Sequence, residues 1–137
     1  MPGWLAGGLA VFLAGGAGAL LRWGFDVAGA RWLGTGFGWG VLGANVLGSL
    51  AFGLIWAYWA HRPGEAAVSP AVRAGVLIGF LGAFTTFSTF AMHTAQEMVQ
   101  GRWWLAGATL VAHNAGGIAA ALVGIALGRV LAGGSAA

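Results

Sequence analysis

The chain has no cysteine and no lysine, only three acidic residues, and three prolines among 137 residues. Without cysteine, disulfides and thiolate metal sites are excluded. Charged residues make up 7% of the sequence, against about 25% in soluble domains, so an ordinary water-soluble globule is excluded as well. The positive charge comes from six arginines spread along the chain; a nucleic-acid surface would need them gathered in a patch. Asp26 and Glu97 stand near the ends of apolar stretches and Glu65 lies in a polar link. No acid therefore occupies the middle of an apolar run, where a proton-coupled exporter of drugs or cations would carry one. No Walker loop, nucleophile elbow or zinc signature is present, which leaves enzymatic catalysis without a foundation.

What is abundant is apolar surface and glycine. Hydrophobic residues make up 59% of the chain and glycine accounts for 27 positions. The length allows about four spans of roughly 20 residues and no separate soluble domain. The expected class is an all-α membrane protein with one transmembrane domain, multi-pass in a cell inner membrane or plasma membrane. Its spans are expected at about 4–23, 37–59, 72–96 and 103–128. Glycines scattered through such spans let helix backbones approach closely. The first span lacks the positive n-region of a cleaved signal and ends at Arg22, placed to snorkel to the interface. Asp26 and Arg31 are expected in a short loop, and HRPGEAAVSPAVR at 61–73 in a longer one.

Counting arginines on either side of four spans gives Arg22, Arg31 and Arg102 against Arg62, Arg73 and Arg129. This balance assigns no preferred orientation. A chain that inserts both ways can pair with an inverted copy of itself, so an antiparallel, dual-topology homodimer is expected.

The most informative stretch is GFLGAFTTFSTF at 79–90. Two glycines and four hydroxyl residues within an otherwise greasy span mark a place where the helix opens and exposes polar atoms. On the second span Asn45 and Ser49 share a face, as do Thr109 and His113 on the fourth. The amide of Asn45, the hydroxyls of Ser88, Thr89 and Thr109, and the positive ring edges of Phe87 and Phe90 suit a small anion better than a cation. His113, if it lines that path, makes flux respond to pH between about 5 and 8. Phe80 and Phe84 read as packing.

These residues carry a resemblance. GGAGALLRW at 15–23, GVLGANVLGS at 40–49, GFLGAFTTFSTF at 79–90 and GRWWLAGATLVAHNAGG at 101–117 resemble, in order and spacing, the CrcB/Fluc fluoride channels. The resemblance implies a subunit with the third helix broken in mid-membrane and an antiparallel homodimer with two fluoride pores. It further implies a structural sodium ion on the dimer axis, held by the backbone carbonyls of Gly82 and Thr85. Asn45, Phe87 and Phe90 then correspond to the pore residues, and Arg22 to the arginine near the vestibule, where its charge would raise the local anion concentration. The partners implied are fluoride, the lipid bilayer and a second copy of the chain.

The chain departs from the family pattern in three places. Val41 stands where a threonine is usual, Ala91, Met92 and His93 follow the motif where Ser-x-Glu is usual, and Thr109 and His113 replace the common residues of the fourth helix. A heterodimeric branch of the family is the alternative assembly, and the balanced arginines favour the homodimer. A small dual-topology multidrug exporter is the alternative function.

Overall fold

A computed structural model describes residues 2–62 and 68–133. Four stretches in it are long and apolar enough to cross a membrane. Helix α1 spans Gly3–Leu33 and α2 spans Trp39–His61. The third stretch is composite: α3 at Pro70–Arg73, a π-helical segment at Ala74–Leu81, α4 at Gly82–Phe84 and α5 at Phe87–Val99. Helix α6 spans Trp103–Leu131.

The segment with Asp26 and Arg31 is not a loop. It forms the last turns of α1, because no proline or glycine pair interrupts RWGFDVAGARWL before Gly34 turns the chain with φ 86°. With 31 residues, α1 is about 46 Å long and outreaches a hydrocarbon core of about 30 Å. The expected loop at 61–73 is narrower than its composition suggested, since Ser69 caps α3 by accepting from the Val72 amide and Pro70 occupies the first helical position. Residues 63–67 of that link lie outside the described residues. On its two sides Arg62 stacks over Tyr58 at 5.2 Å and Arg73 over Trp59 at 6.0 Å.

Glycine decides how closely the helices meet. A side chain at Gly124 or Gly128 would collide with the carbonyls of Leu50 or Leu54, so α2 and α6 run side by side in backbone contact. Gly18 and Gly79 do the same for α1 and the π-helical segment, against Phe80 and Val11 respectively. Gly75/Gly79 and Gly124/Gly128, two pairs at GxxxG spacing, thus pack within the subunit. Phe84, buried, meets Phe25 edge-on at 5.3 Å and Phe80 in a stack at 6.3 Å, which pins the lower half of the third stretch onto α1.

Candidate functional site

The third stretch breaks at Thr85 and Thr86. Thr85 has ψ 153° and Thr86 has φ −147° and ψ 117°, both extended between two helical segments. In a membrane such a break survives only if its freed backbone groups find partners. Asn45 of α2 supplies them: its Nδ2 donates to the Thr86 carbonyl at 3.0 Å, and its Oδ1 accepts from the Thr86 amide at 2.7 Å. The Thr86 hydroxyl caps α5 by accepting from the Thr89 amide at 3.2 Å and pairs with the Thr89 hydroxyl at 3.1 Å and the Ser88 hydroxyl at 3.3 Å. Thr85 folds back the other way, its amide and its hydroxyl each donating to the Leu81 carbonyl at 3.0 Å.

These bonds redirect the helical ladder. The Thr86 amide, which a continuous helix would aim at the Gly82 carbonyl, goes to Asn45 instead. The Thr89 amide, which would have reached the Thr85 carbonyl, goes to the Thr86 hydroxyl. Both the Gly82 and Thr85 carbonyls are therefore released from helical pairing. Between them in sequence, the Ala83 carbonyl accepts from Arg22 Nε at 3.2 Å. Arg22, expected to snorkel, instead reaches across from α1 to hold the break, and it is half-buried.

Alongside the break runs an open groove of about 610 Å³ between α2, α5 and α6, whose walls include Asn45, Ser49, Phe87, Phe90, His113 and Asn114. Phe87 and Phe90 meet edge-to-face at 5.5 Å, and Phe90 stacks on the His113 ring at 4.6 Å. The two phenylalanines differ in setting: Phe87 is 77% exposed and Phe90 only 6%. His113 Nδ1 lies 3.0 Å from the Thr109 carbonyl, which can only accept, so that nitrogen carries the proton. A neutral ring then turns a lone pair at Nε2 toward its surroundings, and Nε2 is buried without a partner among the described residues.

Not every residue read from the sequence comes to this groove. Thr109 is 1% exposed and its hydroxyl donates to Glu97 Oε1 at 3.2 Å, so it lines no open surface. Ser88 is exposed beside the break rather than within the groove. Thr89 points the other way, into a second cavity of about 260 Å³ shared with Asp26, Gly38, Val41 and His93. Asn45 is also less free than expected, because one amide hydrogen and its oxygen are committed to Thr86 and only one N–H is left for an ion. The Ser49 hydroxyl, on the groove wall, donates back to the Asn45 carbonyl at 2.7 Å.

Glu97 was not singled out by the sequence, which places it near a span end. In the fold it is 3% exposed and one carboxylate oxygen, Oε2, is buried without a hydrogen-bond partner among the described residues. The signal that could have found it is the tight turn at Gln100–Arg102, closed by the Arg102 amide on the Glu97 carbonyl at 2.8 Å. A hairpin about that turn sets residue 97 opposite 109 and residue 90 opposite 113. Among the described residues no group of three or more histidines or acids could hold a metal ion, so a cation at this site would rest on carbonyl oxygens.

Set beside known proteins, residues 9–125 match a family model described as "CrcB-like protein, Camphor Resistance (CrcB)". The chain is 39% identical over 121 residues to a protein of Magnetococcus marinus named fluoride-specific ion channel FluC, covering 88% of this chain and 96% of that one. A protein of the same name from Nitrosococcus oceani is 35% identical over 121 residues, covering 88% and 94%. One from Paracidovorax citrulli is 38% identical over 117 residues, covering 84% and 87%.

Proposed function

The chain belongs to the CrcB family, and from that membership we propose that it is a fluoride-specific ion channel, a passive multi-pass membrane protein and not an enzyme. The observation that carries the reading is the Asn45–Thr86 clamp beside the Phe87–Phe90–His113 stack. It sets a polar break and a row of ring edges along one groove. Fluoride gives up part of its water there to neutral donors, the remaining Asn45 N–H and the positive rims of Phe87 and Phe90. The path needs no fuel, because an interior at −100 mV drives an anion outward by about 2.3 kcal/mol.

The groove is open along one side, and a second, inverted copy of the chain is what closes it in this reading. The balanced arginines support that assembly. The Gly82 and Thr85 carbonyls, freed by the redirected amides, suit a hard cation such as sodium. They are the atoms we assign to it, each copy contributing its own pair. Bound there, sodium would supply a fixed positive charge and link the two breaks. Arg22, anchored on the neighbouring Ala83 carbonyl, keeps that backbone in place and adds positive potential on the α1 side of the break.

The test is fluoride efflux from liposomes holding the purified protein, with chloride-loaded vesicles as control. We expect potential-driven fluoride release and no chloride release. Vesicles that retain fluoride under an outward driving force, or that release both ions alike, would overturn the reading.

A further inference from the structure

A third cavity lies apart from the two described above. It is an open trough of about 490 Å³ whose walls come only from α1 and α2, and every wall residue is glycine, aliphatic or aromatic. On α1 it takes one face, from Leu21 through Phe25, Ala28 and Trp32; on α2 it takes Trp39, Gly40 and Gly43. The ion groove has no α1 residue in its walls, and the trough has none from the third stretch or α6. On the helix they share, Gly43 of the trough and Asn45 of the groove are two positions apart, about 200° around the axis. The two therefore open on opposite sides of α2, and a copy that closes the groove leaves the trough facing lipid.

Glycine makes the trough. A β-carbon at Gly29 or Gly40 would collide with the facing backbone, so the two helices touch there and form its floor, while at Gly24 a β-carbon would meet nothing and one wall stays low. From Leu21 to Leu33 it covers about 18 Å of α1, and one leaflet of a hydrocarbon core is about 15 Å deep. Its deep end is level with the break: Arg22, next to Leu21, bonds the Ala83 carbonyl, and Asn45, just past Gly43, bonds Thr86. Its mouth carries Trp32, 77% exposed, and Trp39, rings that favour the membrane interface. Beside the mouth, three residues past Ala28 on the same edge of α1, is Arg31. It is exposed and has no hydrogen bond or ion pair among the described residues. Asp26, the nearest acid in sequence, lines the second cavity with Thr89 and His93 instead.

We propose that the trough holds one acyl chain of an anionic phospholipid whose phosphate rests on Arg31. An apolar channel one leaflet deep, with an uncommitted arginine at its mouth, meets such a lipid at both ends. A guanidinium grips a phosphate through two parallel N–H donors. A headgroup with net negative charge adds attraction that a zwitterionic one cancels with its own ammonium. The site depends on the helices crossing a membrane and not on the channel reading, so fluoride flux, present or absent, leaves it standing.

The experiment is photolabelling and native mass spectrometry of the purified protein with phosphatidylglycerol bearing a photoreactive group on one acyl chain, and with phosphatidylcholine bearing the same group. We expect one phosphatidylglycerol retained per subunit and label confined to 21–33 and 39–43. Phosphatidylcholine should be retained about fivefold less, the preference one arginine gives at a membrane surface. Gly24→Leu fills the trough from a position where added atoms meet nothing, and it should abolish the label. Arg31→Gln should keep the label and lose the preference. Label spread over all four spans, equal retention of the two lipids by the wild type, or Gly24→Leu labelled like the wild type would each overturn the site. So would a wild type that holds no lipid; if Gly24→Leu then turns monomeric, the trough belongs to a second copy. Matching size-exclusion profiles establish that the variants are folded, and the position of the label in the wild type decides the proposal without them.

Discussion

Asn45 and Thr86 hold each other by two hydrogen bonds across 41 positions of sequence, amide to carbonyl at 3.0 Å and amide to side-chain oxygen at 2.7 Å. A side-chain amide presents a donor and an acceptor side by side, so it can stand in for a strand of backbone. That lets the third stretch stop being a helix in the middle of a membrane. The clamp, by taking the Thr86 amide, frees the Gly82 carbonyl, and the Thr86 hydroxyl, by taking the Thr89 amide, frees that of Thr85.

Replacing Asn45 by Ala leaves the Thr86 amide and carbonyl without partners away from water, at a cost of about 1–3 kcal/mol for each such group. We expect a lower Tm in detergent and fluoride flux reduced by at least about tenfold, a barrier change of about 1.4 kcal/mol. Asn45→Asp keeps the acceptor but sets a second oxygen against the Thr86 carbonyl and a carboxylate beside the anion's path, and its fluoride flux should be no higher than that of Asn45→Ala, measured by thermal unfolding and liposome efflux together.

Phe87 and Phe90 should separate stability from transport. Phe90, buried against His113, should cost about 3–5 kcal/mol when cut to Ala. Phe87 is largely exposed in the subunit, and Phe87→Ala should leave its unfolding temperature near that of the wild type while fluoride flux falls. Equal loss of stability in both variants would contradict the placement.

Arg22 tests whether its role is positional. Lysine keeps the charge but lacks the Nε that reaches the Ala83 carbonyl. If holding the break matters, Arg22→Lys and Arg22→Gln should both weaken the proposed antiparallel dimer, most of all without the sodium proposed to bridge it, read as a shift toward monomer by size exclusion with and without sodium. A lysine variant indistinguishable from the wild type would show that charge alone suffices.

Glu97 and Thr109 form a buried pair at 3.2 Å. Glu97→Gln keeps an acceptor for the hydroxyl and should be milder than Glu97→Ala. In a double-mutant cycle with Thr109→Val the coupling should be of order 1 kcal/mol by thermal or chemical unfolding.

Gly124→Val drives a branched side chain into the Leu50 carbonyl. Backbone cannot yield as a side-chain tip can, so we expect the α2–α6 contact to open and monodisperse protein to be lost on purification, whereas Gly107→Ala, where a β-carbon meets open space, should be tolerated.

Much of this was legible from residue order. The apolar runs determined four membrane-crossing helices, since backbone in lipid has to satisfy its own hydrogen bonds, and the hydroxyl-rich run at 79–90 marked where one of them opens. Composition also determined close helix packing, because glycine in a span has few other uses. The sequence could not decide partners that lie tens of residues apart. Asn45 looked like a free donor and proved to be a clamp; Arg22 looked like an interfacial anchor and proved to be tied to Ala83. Asp26 and Arg31 looked like loop residues because charge suggests water, yet a helix longer than the bilayer carries charge at its end without bending. Thr89 and Phe90 are neighbours in sequence, but the helical turn sends one to a cavity with His93 and the other to the groove with His113. Periodicity indicates which residues share a face; only the packing of α1, α2 and α6 around α5 decides what each face meets.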